Sequence, residues 1–249
     1  SGPAFEGAHI KCGMRAASGA IERVKISEDF DVEYSVIGDE KPTGLCGSGI
    51  VDAIAEMLRV GIIDTSGRIV LENHKRIRRD IEGKKEFVLV FKEESLSGDD
   101  IVITQSDIRE IQKAKAAIYS GCKILTMRSN IKKENISEIM IAGAFGSYLN
   151  PESIRLIGMI PEIKGAGISF LGNTAGSGAR MCLKSLEKRR EAERIARIVK
   201  YVELAVDPSF MSEYISAMYL PHNRVDEFPE TFKVLRAPVV SRPRLGSFH

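Results

Sequence analysis

Ile139-Met140-Ile141-Ala142-Gly143-Ala144-Phe145-Gly146 is a run of four apolar residues closed by a loop almost free of side chains. Such an uninterrupted run predicts a strand covered on both faces, as in a parallel sheet. Asn150 and Pro151 follow, a cap and a first-turn proline that predict a short helix. The same order returns at Ile168 to Leu171, which leads into the loop Gly172-Asn173-Thr174-Ala175-Gly176-Ser177-Gly178. A helix of about twenty residues is expected after that loop.

Reading outward from this pair, Thr104 with Asp107 three places on forms a capping box. It predicts a helix to about Met127 with Ile108, Ile111, Ala114, Ala117, Ile118 and Ile124 on one face. At ~1.5 Å per residue that helix is roughly 35 Å long, enough to cross a sheet. Earlier still, Val24 and Ile26, then Phe30, Val32, Tyr34 and Val36, recur at every second position. That period predicts half-buried strands at Ala20 to Ile26 and Phe30 to Ile37, joined by Ser27-Glu28-Asp29. Between hairpin and long helix, Gly44-Leu45-Cys46-Gly47-Ser48-Gly49 opens a helix with Ile50, Ile54, Met57 and Leu58 on one face, stopped by Gly61. Residues 62–103 read as an insertion with short strands at Ile69 to Leu71 and Glu86 to Phe91.

Strands first, then helix and strand in alternation, is an α/β pattern. It fits a ribonuclease H-like unit, a mixed sheet flanked by helices in which three antiparallel strands precede parallel ones. Two of the three meander strands are visible, and the first is expected ahead of Ser1. Ser1-Gly2-Pro3-Ala4-Phe5-Glu6-Gly7 reads as the tail of a loop, a second sign that the sequence opens within a larger protein. Tyr201 to Ala205 reads as a last short strand, and Asp207 as the cap of a helix beginning at Pro208. One domain over residues 1–220 is expected. Pro221, Pro229, Pro238 and Pro243 predict that 221–249 form a tail wrapping the surface.

Of the 249 residues 43% are apolar and 28% charged, which excludes disordered and collagen-like classes. With 36 basic and 34 acidic residues the net charge is +2, so no electrostatic footprint for nucleic acid exists. The basic run Lys184 to Arg197 is interleaved with Glu187, Glu191 and Glu193 and reads as a solvated helix face. Cys12, Cys46, Cys122 and Cys182 form no CxxC pair that would start a zinc or iron–sulfur site. Cys122 and Cys182 fall in helical patterns and read as small buried hydrophobes. A reducing, cytoplasmic compartment is expected, and no apolar stretch is long enough to predict a membrane span.

Three glycine loops are candidate ligand sites. Gly47, Ser48 and Gly49 start a helix, where free amides and the positive end of the dipole suit an anion, although simple helix–strand packing needs the same glycines. No lysine follows, so this is not a Walker A loop. Gly143, Ala144 and Gly146 end a strand and leave room for a flat ring or sugar, or merely for a tight turn. Gly176 and Gly178 fit close helix–sheet packing better than a ligand. Glu6 is the acidic loop residue of interest, and Asp52 is expected in the first turn of its helix, complementing the dipole. His9, His74, His222 and His249 are scattered and read as surface or tail residues.

Four motifs occur in a fixed order: Gly2-Pro3-Ala4-Phe5-Glu6-Gly7-Ala8-His9-Ile10, the loop at Gly44 with its extension to Asp52, Ala142 to Gly146 with Leu149-Asn150-Pro151, and Gly172 to Ala179. Together they resemble the C-terminal domain of reductive activators of corrinoid enzymes, within the acetate kinase/sugar kinase/Hsp70/actin superfamily. The resemblance implies an actin-like ATPase fold holding ATP and Mg between two halves. It also implies a [2Fe–2S] domain N-terminal to this chain, and a corrinoid protein as partner whose cob(II)amide is reduced to cob(I)amide. A homodimer is expected. By that likeness Gly143, Ala144 and Gly146 match the adenosine motif and Gly47, Ser48 and Gly49 the phosphate-side loop. Ala144 stands where the superfamily commonly has a second glycine.

Two other readings stay open on sequence. Activators of 2-hydroxyacyl-CoA dehydratases carry a cluster on cysteines near a helix start, for which Cys46 is the candidate. Alternatively the domain keeps the fold but serves dimerisation or docking, with Phe210, Met211, Met218, Tyr219 and Leu220 as interface residues.

Overall fold

The computed structural model describes residues 3–143 and 148–236. Strands β1 (Ala20–Ile26) and β2 (Val32–Val36) form the predicted antiparallel hairpin, with Val24 opposite Tyr34 and Ile26 opposite Val32. Its turn is closed by Phe30 N–H to the Ser27 carbonyl, with Phe30 at positive φ, so β2 starts two residues later than its alternation predicts. The two-residue strand β3 (Gly44–Leu45) lies parallel on the other side of β1.

Helix α1 (Gly47–Arg59) covers this sheet and buries Ile50, Val51, Ile54, Met57 and Leu58. The approach is close: a Cβ on Gly49 would lie 2.2 Å from the Ile21 carbonyl oxygen. The same helix closes the edge of β1 beyond β3, since the Glu56 carboxylate accepts Ile26 N–H at 2.8 Å and Arg59 donates to the Ile26 carbonyl. Charged groups that occupy an edge in this way prevent further pairing there.

Residues 62–103 carry an antiparallel sheet of β4 (Ile77–Arg79), β5 (Lys85–Val90) and β6 (Ile101–Thr104). The strand predicted at Ile69 to Leu71 reduces to a single bridge between Ile63 and Ile69. Ile69 N–H is taken by the Gln105 side chain, so no ladder extends from it. Helix α2 (Gln105–Arg128) opens with the predicted reciprocal box: Thr104 Oγ1 accepts Asp107 N–H, and Asp107 Oδ2 accepts Thr104 N–H.

Strands β7 (Glu138–Ala142) and β8 (Gly167–Gly172) are parallel, and the short helix α3 (Pro151–Leu156) between them is capped by Asn150. Burial alternates along β7, so the predicted cover on both faces is not seen: Ile139 and Ile141 meet the core while Met140 is 60% exposed. The single helix predicted after the third loop is two, α4 (Thr174–Lys184) and α5 (Leu186–Ile198). Ser185, in extended conformation, ends the first and caps the second through Lys188 N–H.

Residues 201–205 form no strand; Leu204–Val206 is a 3-10 turn. Helix α6 (Phe210–Ala217) starts after Ser209, and Asp207 accepts from the Ser209 amide and hydroxyl instead of capping the helix directly. The described part of the predicted 221–249 tail, residues 221–236, adds to the interior, and the rest lies outside the described residues. Phe228, just before α7 (Pro229–Val234), is fully buried with Tyr119, Ala116 and Ala217 in a second small core. His222, predicted at the surface, packs between Tyr119 and Phe228. The buried Lys115 ammonium holds this segment by donating to the Tyr219 and Pro221 carbonyls. Cys122 and Cys182 are half-buried, and Cys46 is the buried cysteine.

Candidate functional site

Gly7 and Gly13 face each other across the N-terminal loop. Gly7 has φ +83°, and a Cβ on Gly13 would lie 2.1 Å from the Gly7 carbonyl oxygen. Their contact brings the Pro3–Glu6 turn and Met14 to the start of α1, where a cavity of about 390 Å³ opens. Gly47 and Ser48 form one side of it, Phe5 and Glu6 another, and Arg15 and Tyr148 complete the wall. Two of the sequence motifs therefore meet at one place, with Tyr148, which lies between the two parts of the third.

The chemistry of this cavity is set by the helix start. Cys46 is the N-cap residue but makes no side-chain cap bond, so the amides of the first turn have no partner within the helix. Those amides and the helix dipole favour negative charge, and exposed Arg15 adds a cation. Ser48 Oγ lies 3.3 Å from Cys46 Sγ. The Cys46 thiol itself points inward and donates to the Ile21 carbonyl at 3.3 Å.

The six sequence-predicted residues divide. Gly47 and Ser48 line the cavity, whereas Gly49 lies against β1 at Ile21. Gly143 ends β7 with φ +105°, and its amide donates to the Gly172 carbonyl at 2.8 Å. Among the described residues, nothing lies within 4 Å of the place a Gly143 Cβ would take. Ala144 and Gly146 lie outside the described residues. The third loop is largely helix: Asn173 caps α4 through Gly176 N–H, and among the described residues nothing lies within 4 Å of a Gly178 Cβ. Its predicted close packing on the sheet is not found.

Asp52 is not in the first turn of α1. It lies deeper, is buried, and its carboxylate stands 3.8 Å from the Arg23 guanidinium. Burial pushes its carboxyl above the usual range, against the opposing pull of Ser153 and Arg23. Arg15 and Tyr148 were not legible as site residues, because both stand in loops without period. Tyr148 does lie between the Gly143 loop and the Asn150-Pro151 cap, and that position is the signal available for it.

Comparison with known proteins identifies the family. Residues 1–232 match the family described as the C-terminal domain of RACo, the ASKHA domain. The corrinoid activation enzyme RamQ of Eubacterium limosum is 43% identical over 221 residues, covering 86% of this chain and 37% of that protein. A reductase of the Co(II) methylated amine-specific corrinoid protein from Methanosarcina barkeri is 28% identical over 238 residues, covering 86% and 40%. The solved structure of a reductive activator for corrinoid, iron–sulfur protein superimposes with a TM-score of 0.84 at 44% identity, covering 92% of this chain and 37% of that one. The chain thus spans about two-fifths of the relatives it matches. Its actin-like α/β fold and its motifs place it in that family: the chain belongs to the C-terminal ASKHA domains of reductive activators of corrinoid proteins.

Proposed function

We propose that this chain is the ATPase-fold domain of an ATP-dependent activator that drives reduction of cob(II)amide to cob(I)amide in a corrinoid methyl-carrier protein. One observation carries the reading. The Pro3–Glu6 turn, the uncapped start of α1 and Tyr148 line a single cavity. First-turn amides at Gly47 and Ser48 with Arg15 nearby suit phosphate oxygens, and Tyr148, which follows the Gly143 loop in the chain, suits the base and sugar. Gly49 supports the site from behind by setting the distance between α1 and β1. Mg belongs with the phosphates, and Glu6 is a carboxylate that lines this cavity. ATP binding and hydrolysis supply the driving energy, while the [2Fe–2S] centre that delivers the electron belongs to a separate domain of the longer protein. A cytoplasmic homodimer remains the expected form.

The dehydratase-activator reading is weakened by Cys46. Its thiol is buried and occupied by the Ile21 carbonyl, so a cluster bridging two subunits has no ligand there. The docking reading becomes an outcome of the test. Full-length protein with its corrinoid partner, a low-potential donor and MgATP is expected to give the cob(I)amide absorption spectrum, and Gly47→Glu is expected to abolish it. Equal reduction with and without MgATP would oppose the ATPase reading and favour a docking role.

A further inference from the structure

A capping box uses one oxygen of its carboxylate, and Asp107 has two. Oδ2 accepts Thr104 N–H and so serves the start of α2. Oδ1 accepts Lys11 N–H at 2.9 Å, from 96 residues earlier in the chain. Asp107 is only 1% exposed, and a carboxylate is tolerated at such depth when its oxygens are partnered. A bond to a charged acceptor is roughly twice as strong as a neutral one, so Lys11 N–H is a firm attachment point.

From Lys11 the backbone bonds lead to the cavity. The Cys12 carbonyl accepts Leu45 N–H at 2.8 Å, and Met14 N–H donates to the Leu45 carbonyl at 2.8 Å. Leu45 directly precedes Cys46, the N-cap of α1, and Met14 and Arg15 line the cavity together with Gly47 and Ser48. Two further ties are weaker. Val102 N–H in β6 donates to the Cys12 sulfur at 3.5 Å. The Lys11 ammonium reaches Glu86 on β5 at 2.7 Å, but the lysine side chain is 49% exposed and water screens the pair.

We infer that Asp107 is a positioning residue of the nucleotide site. Through Lys11 it holds the loop that carries Arg15 against the start of α1, so that cation and first-turn amides face one ligand together. This role rests on the proposed nucleotide reading of the cavity. The plainer alternative is that Asp107 serves only its helix, in which case Thr104 and Asp107 are equivalent partners in one cap.

Asp107→Asn and Thr104→Ala in the full-length activator separate the two roles. Asparagine is isosteric but has one acceptor oxygen, which cannot serve both amides. Thr104→Ala removes the reciprocal bond from Asp107 N–H and leaves Oδ1 on Lys11. Hydrogen exchange and calorimetry with MgATP are read on both variants and the parent. Asp107→Asn is expected to speed exchange in residues 11–15 and to weaken MgATP binding, each about tenfold, as loss of one charge-assisted bond does. Thr104→Ala is expected to loosen only the first turn of α2 and to leave binding within about twofold. Unchanged binding in Asp107→Asn, or equal weakening in Thr104→Ala, would overturn the positioning role. A parent that binds no MgATP sinks the nucleotide reading; a parent that binds it, with Asp107→Asn binding equally well, sinks the positioning role alone.

Discussion

The Gly143 amide donates to the Gly172 carbonyl across 2.8 Å, and both glycines stand at positive φ where their strands end. This bond holds the carboxyl ends of the two parallel strands together and turns both chains out of the sheet. Ligands of open α/β sheets bind outside such strand ends. Among the described residues no atom stands within 4 Å of a Gly143 Cβ, so Gly143→Ala is expected to cost chiefly the backbone strain of a side chain at φ +105°, about 1–2 kcal/mol. Urea unfolding of the full-length protein checks this value.

Gly49 behaves differently because its constraint is a contact. With the Ile21 carbonyl oxygen 2.2 Å from any Cβ, Gly49→Val must push α1 away from β1. A loss of about 2–3 kcal/mol is expected, the cost of overpacking a closely fitted interface. A midpoint of unfolding shifted by less than about 0.5 kcal/mol would show that α1 does not sit where the structure has it.

Tyr148 and Arg15 are exposed at the rim of the cavity, so their removal separates binding from folding. Tyr148→Ala and Arg15→Ala are each expected to weaken MgATP binding about tenfold, the loss of one stacking or charge-assisted contact. Stability should stay within about 0.5 kcal/mol of the parent. Calorimetry and thermal unfolding on the same preparations read both quantities.

His222 supplies a pH dependence. Burial, with Lys115 and Arg224 nearby, lowers its pKa from 6.5 to about 4. The unfolded chain therefore takes up a proton below pH 6.5 that the folded chain refuses until about pH 4. The sign is thereby fixed: this contribution is complete above pH 6.5 and is lost as pH falls toward 4, by ~2 kcal/mol after allowance for solvent screening. Denaturant midpoints between pH 7 and pH 4, compared with His222→Gln, are expected to show a shallower fall in the variant.

Cys46 is expected to resist alkylation in the folded protein, since its thiol is buried against the Ile21 carbonyl. Mass spectrometry after brief iodoacetamide treatment should find Cys12, Cys122 or Cys182 modified first. Prompt modification of Cys46 would reopen the reading in which it holds a cluster.

Much of the fold was legible where one local rule dominated. The β1 alternation, the Thr104–Asp107 box and the Asn150-Pro151 cap each fix an element by themselves, and each stands as predicted. The misses arose where distant partners decided. Gln105 takes the Ile69 amide and leaves a bridge in place of a strand. Ser185 breaks a continuous helical pattern because its hydroxyl can cap the start of α5. The prolines after Leu220 suggested a surface path, but Lys115 and Phe228 draw that segment into the interior. At the site, Gly47 and Ser48 were legible from glycine spacing, whereas Gly49 has the same spacing and serves packing. Spacing alone does not tell which side of a helix start meets a strand. Tyr148 and Arg15 have no pattern and needed the fold to bring them in.

Photolabelling of the full-length activator with 8-azido-ATP, mapped by peptide sequencing, tests the central claim most directly. The label is expected within residues 143–150, with suppression by MgATP and a sharp fall in Gly47→Glu. Labelling that MgATP suppresses but that falls wholly outside the Pro3–Glu6, Gly47–Ser48 and 143–150 segments would contradict a nucleotide site in this cavity.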